Sequence, residues 1–340
     1  MIHVRLAMIA HLAFLAGCAA SPSSDSTPLQ KPDVAARDAD RLYRLIPSPA
    51  TSVLYFNYRA IRRLGGGSLL GDDKATKGGV EVQGFDERTD VDHSVQAAFP
   101  NDGETEPLNL LLYVGRFEPA KLEDSRIGKS GYQTYRDRHV WGGPPLPRYL
   151  SLVSRNPTLV GLGPRSVLQT AIDCDDARSD PVATVPWFQI AGRHLAQTWP
   201  EEEPLLVELR AVMTPEAKTK LPEPYADLGR LESIAVRVGG TDGISLQALG
   251  RSRRIDEARG VAAWARETLA ALAETPTMVR LGFAKFIVRT EVTVEPSGEG
   301  AVVRWQLALE PKERAFVVAR IQALFEAARV HREKAEPPPS

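Results

Sequence analysis

Thiols and imidazoles are the scarcest reactive groups in this chain, which has two cysteines and six histidines among 340 residues. One of the cysteines lies in the run Asp173-Cys174-Asp175-Asp176. Three neighbouring carboxylates disfavour the thiolate, so this run predicts a raised pKa for the Cys174 thiol and argues against a nucleophile. A catalytic pair between Cys174 and His139 or His194 stays open as an alternative, because such a pair would form only in the folded chain.

The histidines and acidic residues lack the spacing of a metal site. Past the first 17 residues the histidines are His93, His139, His194 and His331, and no two of them are four positions apart. The run Asp90-Val91-Asp92-His93 offers possible metal ligands, but the acidic stretch 71–107 lacks the ordered oxygens and turn glycine of a calcium loop. The sequence therefore predicts no metal, no cofactor and no catalytic residue.

The other cysteine, Cys18, follows a short apolar segment near the N-terminus. Arg5 and the terminal amine are positive, and the segment 6–16 is predominantly apolar. Crossing a bilayer takes about 20 apolar residues, so this segment is too short for a membrane span. Ala16 and Gly17 are small, as a signal peptidase requires near its cut.

Leu15-Ala16-Gly17-Cys18 resembles the lipobox of bacterial lipoproteins. The resemblance implies that residues 1–17 are a signal peptide, that Cys18 carries a diacylglycerol in thioether linkage, and that the new amine is acylated. Several acyl chains, at about 0.8 kcal/mol per buried CH₂, make a stable anchor. Ala19 follows the cysteine where an Asp favours inner-membrane retention, so the chain resembles lipoproteins sorted to the outer membrane. The body is similar to uncharacterised envelope lipoproteins of bacteria.

Composition excludes several other classes of protein. Hydrophobic residues make up 43% of the chain and charged residues 25%, which is ordinary for a globular protein and excludes collagen-like, wholly disordered and polytopic membrane chains. Lys and Arg number 42 against 43 acidic residues, for a formal net charge of −1. This balance gives no electrostatic reason to expect a nucleic-acid partner.

The first half of the chain shows several apolar runs of strand length. They predict strands over 53–58, 108–115, 131–135, 149–153 and 159–162. Helices are predicted to open at Pro164 and Pro186. The stretch 71–107 loses the apolar period and holds ten acidic residues, so it is predicted to be a mobile acidic loop.

The second half has clearer periodicity. Apolar residues alternate over 205–209 and again over 303–309, and the glycine-rich turn 239–243 predicts a hairpin between its flanking strands. An apolar stripe with helical spacing runs from Ile255 to Leu272. A last amphipathic helix is predicted from Pro311, with one face formed by Val317, Ile321, Leu324 and Ala328. These patterns predict an α+β fold of antiparallel sheets with helices on one face.

The mature chain divides into a tether, two folded units and a tail. The predicted ranges are a flexible tether over 18–40, α+β domains over 41–180 and 181–330, and a disordered tail over 331–340. Segments 107–121 and 204–218 each have a strand followed by a proline-started helix. This similarity predicts either two related halves or a common strand-to-helix connection that occurs twice independently.

The sequence thus predicts a membrane-anchored envelope lipoprotein with a non-catalytic structural or binding role. The partners expected are membrane lipid through Cys18 and an envelope protein or ligand. A hydrolase whose site assembles only in three dimensions and a lipid carrier with an apolar cavity are the alternatives. Two groups of residues remain as candidate contacts, with packing or solvated surface as the simpler interpretation: a basic cluster of Arg251, Arg253 and Arg254, and the aromatic set Trp141, Trp187 and Trp199.

Overall fold

Twelve strands form a single sheet in the computed structural model, which describes residues 39–63, 80–100, 108–143, 148–153, 158–199, 204–240, 244–298, 300–310, 312–313 and 315–317. The strands are β1 Ser52–Asn57, β2 Val91–Ala98, β3 Asn109–Gly115, β4 Tyr132–Tyr135, β5 Arg138–Trp141, β6 Tyr149–Leu152, β7 Leu159–Gly163, β8 Leu205–Val212, β9 Ser233–Gly239, β10 Ile244–Ser252, β11 Glu291–Ser297 and β12 Gly300–Leu309. Their order across the sheet is β11-β12-β10-β9-β8-β1-β2-β3-β7-β6-β5-β4. All neighbouring strands are antiparallel.

Helices connect many of the strands. The α-helices are α1 Tyr58–Arg63, α2 Pro119–Asp124, α3 Arg165–Asp175, α4 Pro186–Thr198, α5 Pro215–Thr219, α6 Ile255–Glu274, α7 Pro276–Leu281 and α8 Ala284–Ile287. Short 3₁₀ helices cover Gly128–Ser130, Val182–Thr184 and Glu223–Arg230. Residues 39–43 and 80–83 are also helical, and we name the first of these the entry helix. The fold is therefore α+β, as predicted.

Helices cover both faces of the sheet. Val302 of β12 belongs to one core cluster with Ala191 and Leu195 of α4. The next residue, Val303, belongs to another cluster with Val261 of α6. Neighbouring residues of a strand point to opposite faces, so α4 and α6 lie on opposite sides of the sheet.

The other half of the sheet is covered in the same way. Leu112 of β3 shares a cluster with Leu168 of α3, whereas Tyr113 shares one with Leu122 of α2. The prediction of helices on one face is therefore wrong. Strand β7 shows the covering of both faces directly, because all five of its residues are buried. A strand covered on one face only would bury every second residue.

Strand β2 lies inside the range predicted to be an acidic loop. Val91–Ala98 pairs with β1 on one side and β3 on the other, and Val91, Val95 and Ala97 are buried. The loop prediction over 71–107 is corrected for this strand, because its short apolar alternation is hidden by the surrounding acids. Asp92 lies 3.0 Å from the Arg62 guanidinium, which neutralises it. Residues 71–79 and 101–107 lie outside the described part of the chain.

The clearest sequence patterns correspond to the observed elements. The hairpin predicted around residues 239–243 is formed by β9 and β10, in which Ser245 pairs with Gly239. The predicted helical stripe 255–272 lies within α6. Both β3 and β8 are followed by helices that begin at proline, Pro119 in α2 and Pro215 in α5. That local similarity holds, and the duplication itself stays a prediction.

Strands from both predicted domains join in the one sheet. Strands β1 to β7 come from residues 41–180, and β8 to β12 come from residues 181–330. The two ranges meet along the ladder between β1 and β8, which runs from the pair Ser52↔Ala211 to the pair Phe56↔Val207. The division into two domains stays a prediction, and the hydrogen-bonded sheet is continuous across the boundary.

Candidate functional site

The predicted lipidation site, Cys18, lies outside the described residues, which begin at Ala39. Its modification therefore stays a prediction. Twenty residues separate Cys18 from Ala39, and a chain of that length spans at most about 70 Å. The structure describes the chain from Ala39 onward, where it enters the folded body.

The entry helix is fixed to the body by packing, and the residues that follow it are fixed by backbone hydrogen bonds. Leu42 and Ile46 are fully buried in the core that includes β1 and α3. The Val182 amide donates to the Ile46 carbonyl at 2.7 Å, and the Ser48 amide donates to the Asp180 carbonyl at 3.0 Å. The first described segment is thus an integral part of the core.

A buried carboxylate joins the entry helix to the middle of the sheet. Glu208 of β8 is 1% exposed. Its Oε1 accepts hydrogen bonds from Tyr43 Oη at 2.8 Å and from Arg210 Nε at 2.8 Å. Its Oε2 accepts one from Arg237 Nε at 2.8 Å. We name Tyr43, Glu208, Arg210 and Arg237 the Glu208 network.

Aromatic rings and one glycine enclose the Arg210 guanidinium. Its Cζ lies 4.2 Å from the centre of the Phe188 ring and 5.0 Å from that of Tyr43, within the range of cation–π attraction. Arg210 Nη1 also donates to the Phe188 carbonyl at 3.1 Å. A Cβ at Gly192 of α4 would come within 2.5 Å of Nη1, so a larger residue at this position would require the guanidinium to shift.

The network shifts the ionisation of both acidic groups. Burial alone would raise the pKa of Glu208, but the charges of Arg210 and Arg237 and the hydrogen bonds from Arg237 and Tyr43 outweigh burial and lower that pKa to about 2. Burial and the Glu208 carboxylate raise the pKa of Tyr43 well above its usual value. At neutral pH the network therefore holds a carboxylate, two guanidinium groups and a neutral phenol.

This arrangement suits a structural role rather than acid–base chemistry. A general base works best with a pKa near the operating pH, whereas Glu208 stays ionised down to about pH 2. Sequence reasoning missed the network. The available signal was Glu208 and Arg210, two charges at i and i+2 within the apolar strand β8, which therefore point to the same face.

A second carboxylate, Glu87, forms hydrogen bonds on the face of the sheet that α2 covers. It accepts hydrogen bonds from Tyr113 Oη at 2.9 Å and from Tyr58 Oη at 3.3 Å. Burial and the Glu87 charge raise the pKa of both phenols. Tyr58 belongs to α1 and Tyr113 to β3, so Glu87 ties the segment before β2 to a helix and a strand.

The acidic run around Cys174 anchors the end of α3. Arg138 of β5, whose side chain is 4% exposed, donates to Asp175 at 2.7 Å and to Asp176 at 2.8 Å. Asp173 accepts from Tyr135 Oη at 2.7 Å. The carboxylates therefore bind the β4–β5 hairpin.

The Cys174 thiol has the raised pKa that its sequence predicts. It is buried, and the pKa rises to about 11, chiefly through burial, with contributions from the Asp173 and Asp180 charges. His139 instead stacks on Tyr132, with ring centres 4.4 Å apart. The pKa of His194 is lowered by burial and by Arg304. No contact among the described residues joins Cys174 to either histidine.

The possible metal ligands have other partners. His93 Nδ1 lies 2.8 Å from Tyr55 Oη, and Asp92 is paired with Arg62. Within the described ranges, no group of three or more histidine, cysteine or acidic side chains is arranged to hold a metal ion.

The three arginines of the basic cluster lie close to acidic residues. Glu232 bonds Arg253 and lies 3.5 Å from Arg251, while Arg254 lies 3.9 Å from Asp256. The three arginines therefore neutralise Glu232, which immediately precedes β9, and Asp256, which lies in α6.

The three tryptophans take up packing positions. Trp141 is buried on β5, and Trp187 packs against the core of the entry helix. Trp199 lies beneath the Arg237 guanidinium, whose Cζ is 5.6 Å from its ring centre. Trp199 therefore borders the Glu208 network.

No protein-family model matches the chain, and no curated protein matches it. Among solved structures it is similar to crystal form I of TP0453, with a TM-score of 0.41 and 11% identity over 82% of this chain and 96% of that chain. Crystal form IV of TP0453 gives 0.43 and 10% identity over 81% and 96%. None of the described helices combines the length and hydropathy that crossing a bilayer requires. These similarities are too low to assign the chain to a family.

Proposed function

We propose that the protein is a bacterial envelope lipoprotein, anchored through acylated Cys18, whose body has a non-catalytic structural or binding role. The observation that carries the proposal is the order of elements at the N-terminus: Arg5, the apolar segment 6–16, Leu15-Ala16-Gly17-Cys18, and then a polar stretch rich in serine and proline. Ala19 supports sorting to the outer membrane.

The folded body is consistent with this role. The residues that follow the polar stretch enter the core directly, and Tyr43 bonds to Glu208 in the middle of the sheet. The charged groups buried in the body are engaged in ion pairs: Glu208 with two arginines, and Arg138 with two aspartates. These ion pairs connect different elements of the body, which supports a structural role for the charges.

Metabolic labelling with a clickable fatty acid tests the anchor. We expect the wild-type chain to incorporate label and Cys18→Ala to lose it. Cys174→Ala is the matched control, because it removes the other thiol, which is buried in α3. This control should be labelled like the wild type. Equal labelling of wild type and Cys18→Ala would refute the proposal.

Membrane fractionation tests the location separately. The wild type should sediment with outer-membrane vesicles and resist extraction with high salt, because acyl chains are held by apolar transfer rather than by charge. Recovery of the labelled protein in the inner-membrane fraction would contradict outer-membrane sorting while leaving the anchor in place.

A further inference from the structure

Two arginines lie beside the place where helix α4 packs on the sheet. Leu195 of α4 is in one core cluster with Leu249 of β10 and Val302 of β12. Arg304 is the register partner of Leu249, and Arg251 is the register partner of Val302. Directly opposite residues of an antiparallel pair lie on the same face, so both arginines are on the face that α4 covers. They are diagonal neighbours about 7–8 Å apart, within reach of long side chains.

His194 and Arg193 of α4 add to this basic group. His194 precedes Leu195, and its side chain is half-buried. Burial lowers the pKa of this imidazole, and three arginine charges lower it further, those of Arg304, Arg193 and Arg251. Like charges act strongly on a pKa only at short range, so the three guanidinium groups lie near the imidazole. We name His194, Arg193, Arg251 and Arg304 the His194 cluster.

The carboxylate partner of Arg304 is at the surface. Glu295 of β11 lies 3.0 Å from the Arg304 guanidinium, and its side chain is 51% exposed, whereas that of Arg304 is 6% exposed. Arg251 shares its partner Glu232 with Arg253. An exposed carboxylate is well hydrated and contributes little to an ion pair. Glu295 can therefore turn into solvent and leave its place on Arg304 to another anion.

The sheet next to the His194 cluster is open on the side of α4. Thr293 of β11 is the register partner of Arg304 and is exposed. Gln306 and Ala308 of β12 point to the same side as Arg304, because they follow it at steps of two, and both are exposed. Helix α4 thus covers β10 and leaves this side of β11 and of the end of β12 uncovered. An anion can reach Arg304 over this strip.

We propose that the His194 cluster binds a phosphate group, which takes the place of the Glu295 carboxylate on Arg304. A phosphate has at least three acceptor oxygens and accepts hydrogen bonds from several guanidinium groups at once, whereas a carboxylate has two. Arg304 supplies the buried anchoring charge, Arg251 a second donor on the sheet, and Arg193 a donor on the exposed side of the site.

Titration of the full chain with inorganic phosphate, followed by NMR of the histidine rings, tests the site directly. A bound dianion favours the charged imidazole, so saturating phosphate should raise the pKa of His194 by about 1 or more. The ring signals of His139, which is exposed on β5, are the internal control and should not move with phosphate. No rise, or an equal rise with sodium chloride at the same ionic strength, would overturn the proposal.

Substitutions of matched charge test which residues hold the phosphate. Arg304→Gln removes the anchoring donor and should weaken phosphate binding at least about tenfold. Arg254→Gln is the control, because it also removes one positive charge nearby but its side chain is 71% exposed. It should change binding by less than about twofold. Arg193→Gln, at an exposed position, gives the same test if Arg304→Gln does not fold. Equal weakening by site and control variants would overturn the proposal.

Removal of the competing carboxylate should have the opposite effect. We expect Glu295→Gln to strengthen phosphate binding about threefold or more, since the anion no longer has to displace a charge from Arg304. Glu291→Gln is the control, because it removes an exposed acid from the same side of the same strand. It should have the smaller effect. Weaker binding by Glu295→Gln than by the wild type would overturn the proposal.

A second soluble probe identifies the source of the phosphate. Glycerophosphoglycerol is the water-soluble headgroup of phosphatidylglycerol and is a phosphate diester. If it binds at least as tightly as inorganic phosphate, the site serves a lipid headgroup. If inorganic phosphate binds more tightly, the site serves a soluble phosphate. Absence of saturable binding by both probes would overturn the proposal.

Discussion

Glu208 is a buried charge whose side chain is surrounded by hydrogen-bond donors. Moving a carboxylate out of water is costly, and this cost is recovered only when the partners are well placed. Here both carboxylate oxygens accept hydrogen bonds from arginines, and Tyr43 supplies a third donor. Removing the carboxylate would leave Arg210 and Arg237 facing each other in the core. Because these two like charges would remain, removing the carboxylate should destabilise the folded state.

We expect Glu208→Gln to lower the free energy of unfolding by about 3–5 kcal/mol, because the buried Arg210 and the partly buried Arg237 lose their counter-charge. Urea denaturation of the full chain measures it. Glu118→Gln is the matched control: that carboxylate pairs with Lys121 at 2.7 Å, but both side chains are more than 60% exposed. Its loss should cost less than about 0.5 kcal/mol. A Glu208→Gln variant as stable as the control would contradict a structural role.

The lowered pKa of Glu208 predicts how stability depends on pH. A carboxylate whose pKa falls from about 4.3 in the unfolded chain to about 2 in the folded one stabilises the folded state above the unfolded value. That contribution, about 3 kcal/mol, is lost as pH falls toward 2. The difference in unfolding free energy between wild type and Glu208→Gln should therefore shrink from pH 5 to pH 2. A constant difference over this range would show that Glu208 is not ionised in the folded protein.

The residue pattern of β8 predicts the strand but not which of its side chains are buried. Alternating Leu205, Val207 and Leu209 predicts the strand, and the strand is present. The same alternation suggests that Glu208 and Arg210 face solvent, yet both are buried. Their burial depends on Tyr43 and Phe188, which lie far away in the chain. No local pattern contains that information.

At the scale of elements, the β4–β5 hairpin and α3 depend on each other. The hairpin turns at Arg136 and Asp137, whose φ values of +50° and +60° place non-glycine residues in the left-handed region. Helix α3 ends with aspartates, which the negative end of its dipole disfavours. Arg138 counters the charge at the helix end, while Asp173 holds the turn through Arg136. Each element thus offsets an unfavourable feature of the other.

We expect Arg138→Met to destabilise the protein by about 2–4 kcal/mol, because Asp175 and Asp176 would lose their common counter-charge at a helix C-terminus. Hydrogen exchange should accelerate first in the last turn of α3. Arg136→Ala serves as the control from the same hairpin, since its side chain is 40% exposed, and it should destabilise the protein much less than Arg138→Met. If the two variants are equally stable, the buried ion pair is not what holds the helix end.

Elements with a strong local period were predicted, and elements defined by distant partners were not. The stripe of α6 and the β9–β10 hairpin follow from spacing within a short window. For strand β2 the sequence predicts a loop, because only the pairing of this strand with β1 and β3 makes it a central strand. The covering of both faces was missed for the same reason: the positions of α4 and α6 depend on the order of strands across the whole sheet.

At the scale of the whole molecule, the chain depends on the ladder between β1 and β8. This ladder joins residues 41–180 to residues 181–330, and the Glu208 network crosses the same boundary through Tyr43. Phe188 of α4 also belongs to the core that holds the entry helix. The two ranges therefore complete each other's core.

We expect residues 41–180 produced alone to lack a cooperative urea transition, because β1 would become an open edge and Tyr43 would lose its buried partner. Circular dichroism and gel filtration measure this, with residues 39–340 produced in the same way as the control. A monomeric fragment with a sharp transition would show that the first range is an independent domain.

The place where the chain enters the sheet has a mechanical consequence. Strand β1 is the sixth of twelve strands, with a hydrogen-bonded neighbour on each side. A protein pulled by its N-terminal anchor would transmit the load through the entry helix to β1. Two ladders would then have to break before the strand could leave, whereas a strand at the edge of the sheet is held by one. The body is built to withstand tension at the end by which we propose that it is held.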